Sequence, residues 1–388
     1  MNHLFHAPHA IHTGAGCRAE LPGCAAVLGL RQVLIVTDEF LVRSGVIQPF
    51  VDALAAAGIA AAVFDAVQPD PTDANVAAGV AAYRQANAEG LIAIGGGSPI
   101  DAAKVIAVSL TNPGPLSQFQ GYHQVEKVGP PVIVLPTTAG TGSEATKAAV
   151  ITDTGRQVKM MMLDAKLMPR IAIVDYELSL SMPPALTAHV GVDTLTHGLE
   201  AYVSRKANAL TDPLAQSCIE LTARHLRNAW SEPGNRPARE GMAMAALHGG
   251  MAFTNSGLCL VHGMSRPLGA LFHIPHGLSN AVLLPTVTRY SLFGAPARYA
   301  EVARMMKLAG AGESDEAAGE ALVAGLEQLN QDLAVPTLAD CLKQDYGTFR
   351  PHLEKMAGDA LASGSPGNNP RVPTAEEIVE LYEQAWRS

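Results

Sequence analysis

The sequence has few of the features that nucleic-acid-binding and secreted proteins use. Its Lys and Arg residues form no run and its formal net charge is −9, so it offers no basic stripe to a phosphate backbone. This excludes a nucleic-acid partner and favours a small molecule. The five cysteines are scattered and form no C-x-x-C pair. An odd, unpaired set disfavours a disulfide framework, and we expect reduced thiols.

Long apolar runs are also missing. No stretch reaches the roughly eighteen uninterrupted apolar residues that suggest a membrane helix. The first residues, MNHLFHAPHAIHTG, contain neither the positive region nor the apolar core of a secretory signal. We therefore predict a cytoplasmic protein without a membrane partner.

The chain does have enough apolar sequence for a large core. It contains 388 residues, 48% of them hydrophobic and 16% charged, and this length suggests two domains. In the first part, short apolar runs alternate with helical patterns, which predicts a doubly wound parallel sheet. The predicted strands are 32–37, 59–64, 91–94, 132–135 and 171–174, and the helices between them are 44–58, 72–88 and 99–110.

After the pair Pro183 and Pro184 the strand patterns cease. The predicted helices there are 186–203, 211–230, 236–254, 278–292, 297–308, 317–333 and 374–386. We therefore predict an α/β domain over residues 1–180 and an all-helical domain over residues 181–388.

A glycine cluster follows the strand predicted at 91–94, in the segment GGGSPIDAAK. Gly95, Gly96, Gly97 and Ser98 precede Pro99, which we place at the first position of a helix. Phosphate oxygens can approach a backbone without Cβ atoms, and the helix N-terminus supplies free N–H groups and partial positive charge. The order of strand, glycines and helix predicts a nucleotide-phosphate site, although a tight turn alone would also use glycines.

Two further features fit a dinucleotide. The segment PTTAGTGSEAT offers hydroxyl groups from Thr137, Thr138 and Thr141 beside glycines, which suits pyrophosphate or nicotinamide contact, though a polar turn has the same composition. Asp38 follows the first long strand, where a carboxylate accepts hydrogen bonds from a ribose 2′-hydroxyl and repels a 2′-phosphate. This favours NAD over NADP. The alternative is that Asp38 only caps a helix.

A metal site is predicted in the helical part. Asp193 and His197 stand at i and i+4, so a helix places both side chains on one face. His262 and His276 stand fourteen residues apart further on. One carboxylate and three imidazoles are enough to hold a single divalent ion, and such ligands suit Fe²⁺, Zn²⁺, Mn²⁺ or Ni²⁺.

Taken in order, these segments resemble the iron-dependent (group III) alcohol dehydrogenases. The likeness also includes VKMMMLD, MPPALTAHVGVDTLTHGLEAYVS and HGMSRPLGALFHIPHGLSNAVLLP, and it covers nearly the whole chain. It implies Fe²⁺, with Zn²⁺ or another divalent ion as alternatives. It implies the metal ligands Asp193, His197, His262 and His276. It implies cofactor contacts by Asp38, Gly95, Gly96, Gly97, Ser98, Asp101, Thr137, Thr138, Thr141 and Lys159.

The chain departs from this family at one position. Many members have H-x-M-x-H where this sequence has HGMSR, so Arg266 replaces a histidine that is a candidate for proton transfer. His273 is the nearest titratable substitute. Arg266 stays protonated and cannot act as a base, but its guanidinium can bind a carboxylate or phosphate with two hydrogen bonds. An anionic aldehyde is therefore one substrate hypothesis. The alternative is that Arg266 pairs with an acid or with a cofactor phosphate.

We predict an NAD-dependent, metal-dependent alcohol dehydrogenase or aldehyde reductase, in which a hydride passes between nicotinamide C4 and an alcohol or aldehyde. A non-redox lyase or synthase related to the dehydroquinate synthases is the alternative from another class. A glycerol dehydrogenase or maleylacetate reductase is a further alternative among the family's relatives. We expect a homodimer or a larger homo-oligomer.

Overall fold

The computed structural model describes residues 3–156 and 158–387. It divides into two compact units, one spanning His6–Leu180 and the other running from Ser181 toward the C-terminus. Residues 3–5 group with the second unit.

The first unit is built on a six-stranded sheet. Its strands are β1 (Ala10–Thr13), β2 (Gln32–Val36), β3 (Ala60–Phe64), β4 (Gly90–Gly95), β6 (Val132–Pro136) and β9 (Ile171–Val174). They lie in the order β1-β9-β6-β4-β2-β3, and every neighbouring pair is parallel. This confirms the predicted parallel sheet, and the edge strand β1 adds to the five strands expected.

Helices accompany this sheet and two apolar clusters form its core. The helices are α1 (Leu21–Val27), α2 (Glu39–Arg43), α3 (Gln48–Ala56), α4 (Asp73–Gln85) and α5 (Gly97–Thr111). Along β2, Val33 and Ile35 belong to one cluster while Leu34 and Val36 belong to the other. Because successive side chains point to opposite faces, this strand is buried on both faces, and its sequence is accordingly a continuous apolar run.

A second, smaller sheet was not predicted. It comprises β5 (Gly121–Tyr122), β7 (Ala148–Asp153) and β8 (Val158–Leu163) in the order β5-β8-β7, with β7 and β8 antiparallel. Met160 and Met162 are fully buried on β8, as core methionines should be. The alternation is hidden in the sequence because the less buried Met161 between them is also apolar.

The second unit contains helices and no strand among its described residues. Its helices are α6 (Pro184–Val203), α7 (Asp212–Ser231), α8 (Arg236–Ser256), α9 (Leu260–Phe272), α10 (His276–Ser291), α11 (Pro296–Met305), α12 (Asp315–Asp332), α13 (Leu338–Leu342), α14 (Tyr346–Phe349), α15 (Leu353–Ala362) and α16 (Ala375–Arg387). Among the described helices, none is both long and apolar enough to cross a membrane.

Helix α6 is the central helix of this unit. From Val190 to Val203 every residue is buried, and a helix surrounded on all sides must pack closely against its neighbours. Gly198 permits this, because a Cβ there would lie 2.9 Å from Cys218 Sγ on α7. The predicted metal ligands Asp193 and His197 thus lie on the fully buried part of this helix.

Helix α9 was missed by the sequence analysis. It contains Pro267 in its interior and Gly263 and Gly269 on either side, residues that normally interrupt helices. Burial outweighs these preferences, since Gly263 approaches Pro366, with a Cβ there only 2.7 Å from its ring. The helix matters for the site because it carries His262 and Arg266.

Candidate functional site

The glycine loop joins β4 to α5 in the first unit. Gly96 is the N-cap of α5 and the helix begins at Gly97. Pro99 is therefore its third residue, and its predicted place at the first position is wrong. The proline is tolerated because the first N–H groups of a helix have no partner inside the helix. The N–H groups of Gly97 and Ser98 have this character and belong to half-buried residues at the helix start.

The loop after β6 that contains Thr137, Thr138 and Thr141, the threonine loop, packs directly on the glycine loop. The Thr137 N–H donates to Gly95 O over 2.9 Å. A Cβ on Gly96 would lie 3.4 Å from Thr138 Cγ2, and one on Gly97 would lie 3.0 Å from Thr141 Cγ2. The structure therefore brings together these predicted cofactor contacts. It also gives the glycines a second reason to lack side chains, namely space for the threonines.

Asp101 and Lys104 connect α5 to the chain beyond these loops. The Asp101 carboxylate accepts from Ser143 Oγ at 2.5 Å and from Val150 N at 2.9 Å, so both of its oxygens have partners within the protein. The fully buried Lys104 ammonium donates to Ser143 O at 2.7 Å and to Ala148 O at 2.9 Å. Sequence reasoning missed Lys104, although it stands one turn after Asp101.

Two buried ionisable groups, Lys104 and Glu144, lie where α5 contacts the chain beyond the loops. Burial lowers the pKa of Lys104 to about 8, against the opposing charges of Asp101 and Glu144. Burial also raises the pKa of Glu144 to about 7. We interpret Lys104 as a structural group, because its hydrogen bonds to Ser143 O and Ala148 O fasten that part of the chain to α5.

Asp38 and Lys159 have contacts of their own. The Asp38 side chain caps α2, with Oδ1 accepting from Leu41 N at 2.9 Å, which is the alternative interpretation from the sequence. The cap engages Oδ1 and is compatible with a further hydrogen bond to Oδ2. Lys159 lies on β8, and its ammonium forms an ion pair with Asp70 Oδ1 at 2.7 Å. The cofactor roles of both residues remain predictions.

The second unit brings together all four predicted metal ligands. Asp193 and His197 lie on α6, His262 lies in the first turn of α9, and His276 begins α10. Asp193 Oδ1 lies 3.6 Å from His197 Nε2, 3.4 Å from His262 Nε2 and 3.9 Å from His276 Nε2. The four ligand atoms all lie within 4.8 Å of one another.

The three distances from Asp193 Oδ1, 3.4 to 3.9 Å, fit a divalent ion. Metal bonds of about 2.0–2.2 Å place neighbouring ligand atoms about 3 to 3.5 Å apart and opposite ones about 4.2 Å apart. The side chains of Asp193, His197 and His262 are at most 4% exposed, whereas that of His276 is 41% exposed. The centre is therefore enclosed on three sides and open on the side of His276.

The charge distribution also suits a cation. Burial alone would raise the pKa of Asp193, but His197, His276 and His262 outweigh it and hold that pKa well below its usual range. The carboxylate is therefore ionised at neutral pH. Burial lowers the pKa of His262, yet Glu200 and Asp193 outweigh it and raise the pKa overall. The site thus concentrates negative charge on buried oxygen atoms.

Two residues that sequence reasoning missed surround the ligands. Asn280 lies one turn after His276, and its Nδ2 donates to Asp193 Oδ1 at 2.6 Å and lies 3.1 Å from His262 Nε2. Its Oδ1 is buried without a hydrogen-bond partner among the described residues. Glu200 lies on α6 and contacts His262 Nδ1 at 2.7 Å. Their positions at i+4 from His276 and i+3 from His197 are the only sequence signals.

Of the two residues proposed for proton transfer and substrate binding, Arg266 lies on α9 and His273 directly follows that helix. His273 ends the helix in a left-handed conformation, with φ of 57°, and is exposed. The structure does not bring it into the group of ligand atoms. Arg266 stands one turn after His262, and its Nη1 donates to Ser365 Oγ at 3.0 Å. Neither catalytic role follows from these contacts, and both remain predictions.

The chain is similar to characterised dehydrogenases along its whole length. Residues 8–176 match the iron-containing alcohol dehydrogenase family, and residues 187–386 match the C-terminal part of the Fe-containing alcohol dehydrogenase family. Lactaldehyde reductase of Escherichia coli strain K12 is 41% identical, over 92% of this chain and 93% of the relative. The crystal structure of a 1,3-propanediol oxidoreductase is 37% identical with a TM-score of 0.95, covering 99% of this chain and 100% of that one.

A third relative adds a bound cofactor. The sulfoacetaldehyde reductase of Bifidobacterium kashiwanohense, solved in complex with NAD⁺, is 29% identical with a TM-score of 0.87 and covers 100% of both chains. The two family matches agree with the parallel sheet, the helical unit and the metal-ligand cluster. The chain belongs to the iron-containing alcohol dehydrogenases, enzymes that interconvert alcohols and aldehydes with a nicotinamide cofactor.

Proposed function

We propose that this enzyme uses NAD and a divalent ion held by Asp193, His197, His262 and His276 to interconvert a small alcohol and its aldehyde. The observation that carries the proposal is the convergence of these four ligand atoms within 4.8 Å of one another. An ion bound there supplies Lewis acidity, which favours loss of the alcohol proton and polarises an aldehyde carbonyl. The relatives reported above are all oxidoreductases, which favours this function over the synthase alternative.

The chain's own residues provide the remaining functions. The ionised Asp193 supplies the negative charge that attracts the cation, and Asn280 fixes its carboxylate by donating to Oδ1 over 2.6 Å. The half-exposed His276 marks the open side of the centre, where we expect substrate to enter. In the first unit, the N–H groups of Gly97 and Ser98 at the start of α5 bind the cofactor pyrophosphate.

We infer NAD rather than NADP as the cofactor. Asp38 stands just after β2, and its half-buried carboxylate would accept from a ribose 2′-hydroxyl and repel a 2′-phosphate. The NAD⁺ complex of the sulfoacetaldehyde reductase supports the choice. We infer iron from the family alone, because imidazole and carboxylate ligands suit zinc equally well. Location in the cytoplasm and a homo-oligomeric state stay predictions from the sequence.

The proposal also includes the chemical class of the substrate. Arg266 lies on α9 one turn after the ligand His262, and its side chain is held by Ser365. We propose that this guanidinium binds the anionic end of a short aldehyde, such as a carboxylate or sulfonate. A relative that is a sulfoacetaldehyde reductase supports an anionic substrate, whereas a lactaldehyde reductase represents the neutral alternative.

Metal analysis combined with a substrate screen tests the proposal. The protein is purified anaerobically, its metal content is measured, and NADH and NADPH oxidation is followed with neutral and acidic aldehydes of matched length. We expect about one divalent ion per chain and faster turnover with NADH. Turnover that is unchanged after complete metal removal would contradict the metal-dependent mechanism.

A further inference from the structure

The buried carboxylate of Glu200 receives four donors from the start of α9. Its Oε1 lies 2.7 Å from Val261 N and 3.4 Å from His262 N. Its Oε2 lies 2.8 Å from Cys259 N and 2.7 Å from His262 Nδ1. Glu200 is only 2% exposed. Both oxygens must therefore act as acceptors, because every group that faces them carries or can carry a proton.

This contact determines which nitrogen of His262 has the lone pair. A carboxylate can only accept from Nδ1, so Nδ1 must carry the proton. The other nitrogen, Nε2, lies 3.4 Å from Asp193 Oδ1 and 3.1 Å from Asn280 Nδ2, and it keeps the lone pair that a cation would accept. An imidazole whose second nitrogen is fixed by a carboxylate is also a stronger ligand.

Glu200 also aligns the elements that carry the ligands. It lies on α6 three residues after His197 and seven after Asp193, on the same helical face. Through the N–H groups of Cys259 and Val261 it fixes the first turn of α9 against that face. The same carboxylate therefore sets the position of the His262 backbone and the orientation of its ring.

We propose that Glu200 is a positioning residue for the metal centre, which sets the tautomer and orientation of His262. The inference rests on the proposed metal set and adds a residue that does not itself bind the ion. The competing explanation is that Glu200 only caps α9. The two differ in one measurable quantity, because a cap stabilises the fold whereas a positioning residue also changes the affinity for metal.

The test replaces Glu200 by glutamine and compares it with a matched control. An amide of the same shape turns one acceptor oxygen into a donor. It therefore conflicts either with the N–H groups of Val261 and His262 or with the donors Cys259 N and His262 Nδ1. The control is Asp164→Asn. Asp164 is also 2% exposed and accepts from the backbone of Val125 and Lys166, both at 3.0 Å, but it contacts no metal ligand.

The measurement is the Zn²⁺ affinity of each full-length protein, obtained by chelator competition, together with the urea midpoint of unfolding. We expect Glu200→Gln to weaken Zn²⁺ binding about 10- to 100-fold, the range found for such outer contacts. We expect Asp164→Asn to lower the urea midpoint while its Zn²⁺ affinity stays within about twofold of wild type. If Glu200→Gln lowers only the midpoint and keeps wild-type affinity, Glu200 is a helix cap and the proposal is wrong.

A second measurement covers the case in which Glu200→Gln does not fold. In ¹⁵N-labelled wild-type protein loaded with Zn²⁺, the His262 signals, identified by their loss in His262→Ala, should show a protonated Nδ1 and a metal-bound Nε2. A metal-bound Nδ1 would overturn the proposal. Failure of the metal set itself has a different signature, since His262→Ala would then retain Zn²⁺ with wild-type affinity.

Discussion

Replacing His276 by alanine is the sharpest test of the metal centre. The residue begins α10 and its side chain is 41% exposed, so truncation creates little buried cavity and the fold should persist. Its Nε2 is one of the three imidazole nitrogen atoms that cluster around Asp193 Oδ1. The variant therefore removes a quarter of the ligand set and leaves the other three side chains in place.

We expect His276→Ala to lose most of its bound ion and to reduce kcat/KM by at least about 10³-fold, or about 4 kcal/mol of transition-state stabilisation. His262→Ala should lose metal to a similar degree and should be less stable as well. His262 is 1% exposed and donates to Glu200, so its removal leaves a buried acceptor without that donor, at a cost of about 1–3 kcal/mol. If both variants lose metal equally but only His262→Ala is less stable, the loss of metal does not result from unfolding.

His248→Ala is the matched control for both variants. This histidine lies on α8 in the same unit, its Nδ1 is 2.9 Å from Ser217 Oγ, and it does not belong to the ligand group. Metal content of anaerobically purified protein and kcat/KM with NADH are compared for all three. Full metal occupancy and near-normal turnover in His276→Ala would refute the assignment, as would equal metal loss in His248→Ala.

Four further changes test other parts of the structure. Asp193→Asn keeps the shape of the side chain and removes its charge, so metal affinity should fall even where circular dichroism shows an intact fold. Asp38→Gly should raise kcat/KM for NADPH relative to NADH, and a wild-type enzyme that already prefers NADPH would contradict this role. Arg266→His should shift the ratio of kcat/KM values from acidic semialdehydes toward neutral aldehydes by roughly 10- to 150-fold. This corresponds to about 1.5–3 kcal/mol for a charge-assisted contact. An equal change for both classes of aldehyde would exclude an anion-binding role. Burial raises the pKa of Glu144 from 4.5 to about 7, so its stabilising contribution is present below pH 4.5 and is lost as the pH rises through 7. Between these two pH values the free energy of unfolding of the wild type should fall by on the order of 3 kcal/mol. Glu144→Gln should therefore show a smaller decline in urea midpoint over the same pH range. An equally steep decline in the variant would exclude Glu144 as its source.

The glycine loop shows how the structure changes the meaning of a sequence-based test. Gly97→Val should block phosphate approach, but a side chain there also meets Thr141, since Cβ alone would lie 3.0 Å from its methyl group. Weaker NAD binding in this variant therefore has two physical causes. Thr141→Ala alone is the necessary reference, because it shows how much NAD binding changes when the Thr141 methyl and hydroxyl groups are removed and Gly97 is kept.

The parallel sheet could be predicted because its strands are buried on both faces and are therefore continuously apolar. Val33 and Leu34 belong to different core clusters, so even adjacent positions on β2 must be hydrophobic. Helix α9 gave the opposite signal, because Pro267 and two glycines disfavour a helix locally. Its helical conformation depends on packing against residues distant in sequence, such as Pro366, and no local pattern contains that information.

The metal ligands could be recognised from the sequence, whereas the residues that support them could not. The pair Asp193 and His197 can be recognised from helical spacing. His262 and His276 can be recognised as candidate ligands from their residue type and fourteen-residue spacing, and the resemblance implies the same four ligands. Glu200 could not be recognised as a partner of His262, since sixty-two positions separate them and the contact exists only where α9 begins beside α6.

The contacts of Glu200 also limit which side chains can stand at this position. Three backbone N–H groups and one imidazole N–H converge on two oxygens, and only a carboxylate accepts at both positions. A shorter aspartate would not reach from α6 to all of these donors, and an amide would present a donor to one of them. The side chain that closes the first turn of α9 is thus the same one that orients His262, so any change that impairs the helix cap also disturbs the ligand. Folding of this turn and formation of the metal centre therefore depend on one carboxylate.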